Sequence, residues 1–352
     1  MEEKKKTARE IIEGYDGPPV RIMEVCGTHT HEIFRLGIRK LLPEQVELIS
    51  GPGCPVCVTQ VGFIDEAIYL ALERQVTICT FGDLVRVPGT NMSLAGAREK
   101  GAKIRIVYSP VDAKEYAKEH PKEQVTFLSV GFETTTPSAC LSVKKAREEG
   151  LTNYSILTAN KTMPQAYEAL KGSADIFLYP GHVNAITGTK LCEKLAKEGV
   201  SGVVAGFTAK ELLTALAVAL ARFQEGRPFF VNCYPRVVTE NGSPQAQKLV
   251  EEMMEPCDSE WRGLGVIKGS GMRLKEEWSA FDARKKYKIP LIQGKANPAC
   301  RCGDVLQGKC KPSDCKVFGK VCTPQHPVGA CMVSGEGACS AYYMYGEAEK
   351  MK

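Results

Sequence analysis

From Val20 to about Phe230, short apolar runs alternate with amphipathic stretches. Eight runs predict strands, over residues 21–25, 46–49, 76–80, 104–108, 125–130, 155–158, 176–178 and 202–205. They are mostly β-branched and often followed by Gly or Pro, as strands ending in turns are. Between several of them the apolar spacing becomes helical. Val61, Ile64, Ile68 and Ala71 draw one stripe at intervals of three and four, and Leu212, Leu213, Leu216, Leu220 and Phe223 draw another. Strand–helix alternation predicts βαβ units and mainly parallel sheets. Eight strands exceed one small sheet, so the pattern predicts an α/β protein with two doubly wound parallel-sheet domains around a cleft. Their expected bounds are residues 1–115 and 116–230.

Beyond residue 230 the elements thin out, and residues 294–339 are rich in Gly, Pro, Cys and Lys. That stretch has too few large apolar side chains to build a core alone. A bound metal centre would supply the missing free energy, about 10 kcal/mol for structural zinc sites. Residues 231–352 are therefore expected to form a third, Cys-rich domain.

Composition narrows the partners. Lys plus Arg number 46 against 41 Asp plus Glu, a formal charge of +5 over 352 residues. So slight an excess gives no electrostatic case for nucleic acid. The longest apolar candidate, Leu212 to Ala221, is interrupted by Thr214 and is too short for a membrane span. The first ten residues, MEEKKKTARE, hold no apolar segment of a secretory signal. A soluble cytosolic protein is expected.

The cysteines change the picture most. Of 15, seven (Cys300, Cys302, Cys310, Cys315, Cys322, Cys331 and Cys339) fall within forty residues. An odd total, no export signal and a long chain that needs no staples argue against a disulfide framework, and favour metal or redox use. No C-x-x-C pair occurs in this group, so ordinary zinc-ribbon spacings do not fit. Four thiolates at irregular intervals suit an iron–sulfur cluster, with an atypical zinc site as the alternative.

Two further thiol motifs each follow a strand and precede a helix. In Met23-Glu24-Val25-Cys26-Gly27-Thr28-His29-Thr30-His31, Cys26 stands at a strand's carboxyl end, where parallel sheets bind ligands. The helix N-terminus and the neighbouring His are expected to favour its thiolate, although a buried, inert Cys would look the same. In Gly51-Pro52-Gly53-Cys54-Pro55-Val56-Cys57, two thiols at C-x-x-C spacing would close a disulfide or chelate one ion. Glu133, in GFETTTP, and His182, in YPGHV, follow strands as well. Glu133 would serve as a general base and His182 as a proton carrier or ligand; a capped helix and a satisfied loop His are the bland readings. No P-loop or G-x-G-x-x-G occurs, so a standard nucleotide site has no support.

MEVCGTHTHEIFRLGIRKLLP, GPGCPVCVT, GFETTTPSA, YPGHV, GMRLKEEWSAFDA and CTPQHPVGACMVSGEGACSAYY stand in this order from about Ile22 to Tyr345. In these motifs the chain resembles the HypD family of [NiFe]-hydrogenase maturation factors. The resemblance implies a scaffold on which the Fe(CN)2CO group is assembled, rather than a free-standing multiple-turnover enzyme. It implies two partners: a HypC-type chaperone that shares the iron with Cys26, and HypE, which delivers cyanide as a thiocyanate. By the same resemblance Cys54 and Cys57 act in redox chemistry or near the iron. One [4Fe–4S] cluster is implied, with Cys315, Cys322, Cys331 and Cys339 as ligands and Cys302 able to displace one of them. Cys300 and Cys310 match no family position and are expected to be bystanders. A dithiol reductase resembling ferredoxin–thioredoxin reductase is the alternative, because it too pairs a cluster with a C-x-x-C.

Overall fold

The computed structural model describes residues 6–346; residues 1–5, half of the charged amino-terminal stretch, and 347–352 lie outside the described residues. All eight expected runs form strands: β1 Val20–Glu24, β2 Val46–Ser50, β3 Thr77–Thr80, β4 Ile104–Ile106, β5 Val125–Gly131, β6 Tyr154–Asn160, β7 Ile176–Pro180 and β8 Ser201–Ala205. A short ninth, β9 Phe230–Asn232, and an antiparallel pair, β10 Met254–Trp261 and β11 Gly265–Leu274, join them. One sheet runs β2-β1-β7-β8-β9 and another β4-β3-β5-β6. Every pairing within these two sheets is parallel.

The sheets do not divide the chain near residue 115. β1 pairs with β7, Ile22 opposite Ile176, so the first sheet takes strands from both ends of a long insertion that holds the second. The join is held locally: the Arg21 amide donates to Asp175 Oδ2 at 2.7 Å, and the Asp175 amide returns a bond to Arg21 O at 2.9 Å. A contiguous division assumes that successive strands pair. Here the chain leaves the first sheet after β2 and returns to it at β7.

Period-two alternation sorts the side chains of each sheet onto two faces. Ile22, Leu48, Ile176, Leu178 and Val203 turn toward a core that includes Leu212, Leu216 and Leu220 of helix Ala209–Phe223. That helix starts on a capping box between Thr208 and Glu211, which satisfies donors at its first turn. Met23, Ile49, Phe177, Tyr179 and Val204 turn the other way and meet Ile78, Leu128, Val130 and Leu157 from the second sheet. The two sheets thus share one apolar core, and Cys54 and Cys57 lie in it.

Residues 231–352 are not one separate unit either. Met253, Met254, Leu274, Trp278 and Phe281 pack on Val125, Phe127, Tyr154 and Ile156 of the second sheet, because the sheet's outer face is apolar and needs cover. Only the stretch from about Gly294 forms the Cys-rich part, and it docks Cys302, Leu306, Ala330 and Cys331 into the shared core. No helix among the described residues is long and apolar enough to cross a membrane.

The burial pattern sets a stability contrast. Leu216 is fully buried, whereas Leu141 on helix Thr136–Glu148 is 38% exposed. Leu216→Ala should lower the unfolding free energy by about 2–5 kcal/mol, and Leu141→Ala by less than about 1 kcal/mol. Urea unfolding followed by circular dichroism checks both.

Candidate functional site

Two strand ends deliver the first three thiols. β1 ends at Glu24, and Cys26 is the extended residue before helix Gly27–Arg35. β2 ends at Ser50, and Cys54 caps helix Pro55–Val58. The adjacent strands bring the two loops together, Gly27 N donating to Gly53 O at 3.1 Å and Gly51 N to Glu24 O at 2.9 Å. A Cβ on Gly53 would fall on the backbone of Cys26, and one on Gly27 would come within 3.3 Å of Cys54 Cβ. Both positions need glycine because two backbones touch there. Cys54 and Cys57 are joined as a disulfide across a Cα separation of 5.2 Å, and Cys54 Sγ accepts from Cys57 N at 3.1 Å.

The Cys26 thiol is not the activated thiolate that its position suggests. Burial pushes its pKa up to about 12, although the His29 and Thr28 N–H groups donate toward the sulfur. A helix N-terminus favours a thiolate, but at this depth desolvation outweighs it. His29 is buried as well, its Nε2 facing Gly206 O at 3.0 Å and Ala205 O at 3.3 Å. Carbonyls accept, so Nε2 carries the proton; burial lowers the pKa to about 4 and the ring is neutral at pH 7. His31 faces away, toward Gly335 O at 3.1 Å. The two histidines do not converge.

The Cys-rich segment closes over this junction. Thr28 Oγ1 donates to Glu336 Oε1 at 2.7 Å, Ser334 Oγ to Asp83 Oδ2 at 2.9 Å, and Arg86 Nη1 to Pro324 O at 2.8 Å. Helix Ala338–Tyr345 lies on helix Gly27–Arg35, with the Phe34 and Tyr342 rings 4.5 Å apart. Glu336 precedes Cys339 by three residues, and three residues of chain span at most about 11 Å. The cysteine pocket is therefore next to Cys26. Glu336 was missed in the sequence, although it stands in the quoted CMVSGEGACSAYY as the one carboxylate between two cysteines.

That pocket is lined by Cys302, Cys315, Cys322, Cys331 and Cys339, and also by Cys300. Cys300 is thus no bystander by position, while Cys310 lines a different hollow beside Leu48 and Tyr342. The Cys302 and Cys331 sulfurs stand 2.7 Å apart. The sulfurs of Cys300 and Cys331 donate to Cys302 and hold its pKa well below the usual thiol range, while their own are raised in return. Among the described residues no three His, Cys, Asp or Glu side chains stand in metal-binding geometry; the sulfurs touch one another instead. The donor chemistry nonetheless fits a soft metal or an iron–sulfur cluster. It offers more than four thiols, apolar walls from Val305, Val317, Phe318 and Met332, and no lining carboxylate or imidazole among the described residues.

Glu133 and His182 make no hydrogen bond to a thiol among the described residues. His182 is exposed and stacks on Phe207 at 3.8 Å; Phe207 also meets the His29 ring at 4.7 Å. Glu133 Oε1 accepts from Met163 N at 2.8 Å, while Oε2 is buried with no hydrogen-bond partner. Burial raises the pKa of this carboxyl to about 7. The phenol of Tyr167, also buried without a partner, lies within electrostatic reach of both Glu133 and Cys26. Nothing in the local sequence marks Tyr167.

A family model described as "HypD: Hydrogenase formation hypA family" matches residues 2–346. The hydrogenase maturation factor HypD of Cupriavidus necator is 42% identical over 347 residues, covering 95% of this chain and 92% of that protein. The HypD of Rhodobacter capsulatus is 44% identical over 340 residues, with 94% and 90% covered. That of Escherichia coli is 43% identical over 339 residues, again with 94% and 90% covered.

The buried carboxyl predicts a pH signature. Its folded pKa of about 7 exceeds the ordinary 4.5, so between these values the folded state binds more protons than the unfolded one. Stability is then lost as pH rises through that window, by about 3 kcal/mol in all. Glu133→Gln, which mimics the protonated form, should match the parent near pH 4.5 and exceed it by up to about 3 kcal/mol at pH 8. Urea unfolding of both chains across pH measures the difference, which should widen with pH.

Proposed function

The chain belongs to the HypD family, and we propose that it is the scaffold on which the Fe(CN)2CO centre of [NiFe] hydrogenase is assembled. In this reading Cys26 holds the iron together with a thiolate from a HypC-type chaperone, and cyanide arrives from HypE as a thiocyanate. The observation that carries the reading is the meeting of three loops. The Cys26 loop and the Cys54–Cys57 loop share backbone hydrogen bonds, and the Glu336 turn of the Cys-rich segment is bonded to the first of them. Iron bound to CO and CN− takes soft thiolate ligands, and this is where the thiols gather.

The residues also balance the chemistry. Releasing cyanide from a thiocyanate, RSCN + 2 e− → RS− + CN−, takes two electrons. Oxidation of the Cys54 and Cys57 thiolates to their disulfide supplies two, and the disulfide is the form seen in the structure. Resetting the disulfide to the two thiolates takes two electrons, delivered one at a time by an external donor. Cys300, Cys302, Cys315, Cys322, Cys331 and Cys339 are the residues from which the ligands of a [4Fe–4S] cluster would come. When bound, such a cluster supplies single electrons at low potential. Cys26, two residues past the end of β1, is buried at the junction, where its own thiol must give up a proton to bind metal. His29, neutral and fixed by two carbonyls, holds the first turn of that helix in place.

In the anaerobic complex with a HypC-type chaperone, infrared bands of CO and CN− are expected. Cys26→Ala and Cys54→Ala should each abolish them while visible absorption from the cluster persists. Bands that survive both substitutions would overturn the roles given to Cys26 and Cys54, and a parent complex without such bands would point to a dithiol reductase instead. Purified without oxygen, the protein should be brown, with iron and acid-labile sulfide; a colourless protein containing zinc would refute the cluster.

A further inference from the structure

The turn between β10 and β11 touches the chain beside both groups of sulfur. Arg262 N donates to Val58 O at 2.8 Å and Arg262 Nε to Thr59 O at 3.0 Å, so the residue grips the segment immediately after Cys57. Its neighbour Gly263, at φ +85°, presses on Gly303 so closely that a Cβ on Gly303 would stand 2.7 Å from Gly263 Cα. Gln307 Nε2 donates to Gly263 O at 2.6 Å from the far end of helix Cys302–Leu306. The turn is rigid, because Trp261 before it is fully buried and its indole N–H donates to Ser270 Oγ at 2.7 Å. Arg262 Nη2 is buried with no hydrogen-bond partner, so its charge is not neutralised at that atom.

We infer that Arg262 is a positioning residue whose single positive charge, set between the two sulfur groups, raises the reduction potentials of both. The part that concerns the cluster rests on the function proposed above; the part that concerns Cys54 and Cys57 does not. The physical reason is common to the two. Reduction adds negative charge, as thiolate character on Cys54 and Cys57 or as an extra electron among the cysteine ligands, and a cation in a partly buried setting stabilises the more negative state. This guanidinium is suited to that role because its Nη2 is buried without a hydrogen-bond partner and, among the described residues, it forms no salt bridge within 4.0 Å. Arginine stays charged at any working pH.

The test uses the full chain prepared without oxygen, as the parent, Arg262→Gln and Arg262→Lys. The Cys54–Cys57 pair is equilibrated with dithiothreitol, which gives two electrons and two protons as it closes to its own cyclic disulfide, and thiols are counted by alkylation and mass spectrometry. Potentials of the cluster are read by electron paramagnetic resonance during a dithionite titration, beside iron and sulfide analysis. A unit charge at about 10 Å in a medium of effective dielectric 20 changes an equilibrium by about tenfold. Arg262→Gln should therefore shift both equilibria about tenfold toward the oxidised form, with iron content unchanged, and Arg262→Lys should restore most of the shift. Unchanged equilibria in Arg262→Gln, or an equal fall in Arg262→Lys, would overturn the inference. Gln307→Met guards against a folding failure: it keeps the charge but frees the turn from helix Cys302–Leu306, so the cluster's potential should move and the disulfide's should not. The reverse pattern would also overturn it. A parent chain without iron and sulfide would refute the cluster, while the disulfide equilibrium would still decide the role of Arg262.

Discussion

The apolar core between the two parallel sheets is the constraint from which the site follows. The chain crosses between the sheets twice, after β2 and before β7, and both crossings run through that core. A crossing segment cannot leave its backbone polar groups unpaired there. After β2 the pairing is made by a second loop: the amides of Gly27 and Gly51 bond to Gly53 O and Glu24 O. Two loops that satisfy each other's backbone in a dry core must approach to contact, and Gly53 lies where the contact is tightest. Cys26 and Cys54, next to those glycines, are placed beside each other by this requirement rather than by attraction between sulfurs.

The same dryness governs the charges. Buried thiols at Cys26, Cys79, Cys140 and Cys192 all have pKa values pushed up to about 12 by burial. Of these, Cys26 has the Thr28 and His29 N–H groups directed at it beside the Glu336 junction. Cys192 accepts from Asn184 Nδ2 at 3.3 Å, and Cys79 and Cys140 lie in the apolar core against the second sheet, where a small apolar residue would serve as well. Burial leaves His29 neutral at pH 7 and keeps Glu133 partly protonated there, one by losing a proton and one by holding it.

The local parts of the fold were legible in the sequence, and the pairings were not. Eight strands stood out because their faces alternate against cores on both sides. β9 escaped because it is three half-buried residues at a sheet edge, and the β10–β11 pair because Pro256, Gly269 and Gly271 break its apolar pattern. Which strand lies beside β1 depends on contacts more than 150 residues apart, such as Arg21 with Asp175, and no periodicity carries that. At the site, the motif residues Cys26, Cys54 and Cys57 come together as their strand ends implied. The expected thiolate at Cys26 failed because spacing reveals a helix N-terminus but not the depth at which it sits. Cys300 was set aside because it matches no family position, yet the two-residue step to Cys302 puts both in the lining of one pocket.

The sulfur groups differ in what holds them. Cys54 and Cys57 are fixed by one turn of helix and its capping sulfur, so their separation is set before anything binds. The six thiols of the pocket come from separated stretches of a segment poor in large apolar residues, joined by single turns such as Pro312–Asp314 and Ala330–Val333. Pressing Cys302 against Cys331 at 2.7 Å allows at most one of the two to be a thiolate, since like charges at that separation repel strongly in a medium of low dielectric. A soft cation among them would remove the repulsion and replace weak sulfur hydrogen bonds with metal–thiolate bonds. The segment that holds Glu336 against Thr28 would then gain stability from its metal.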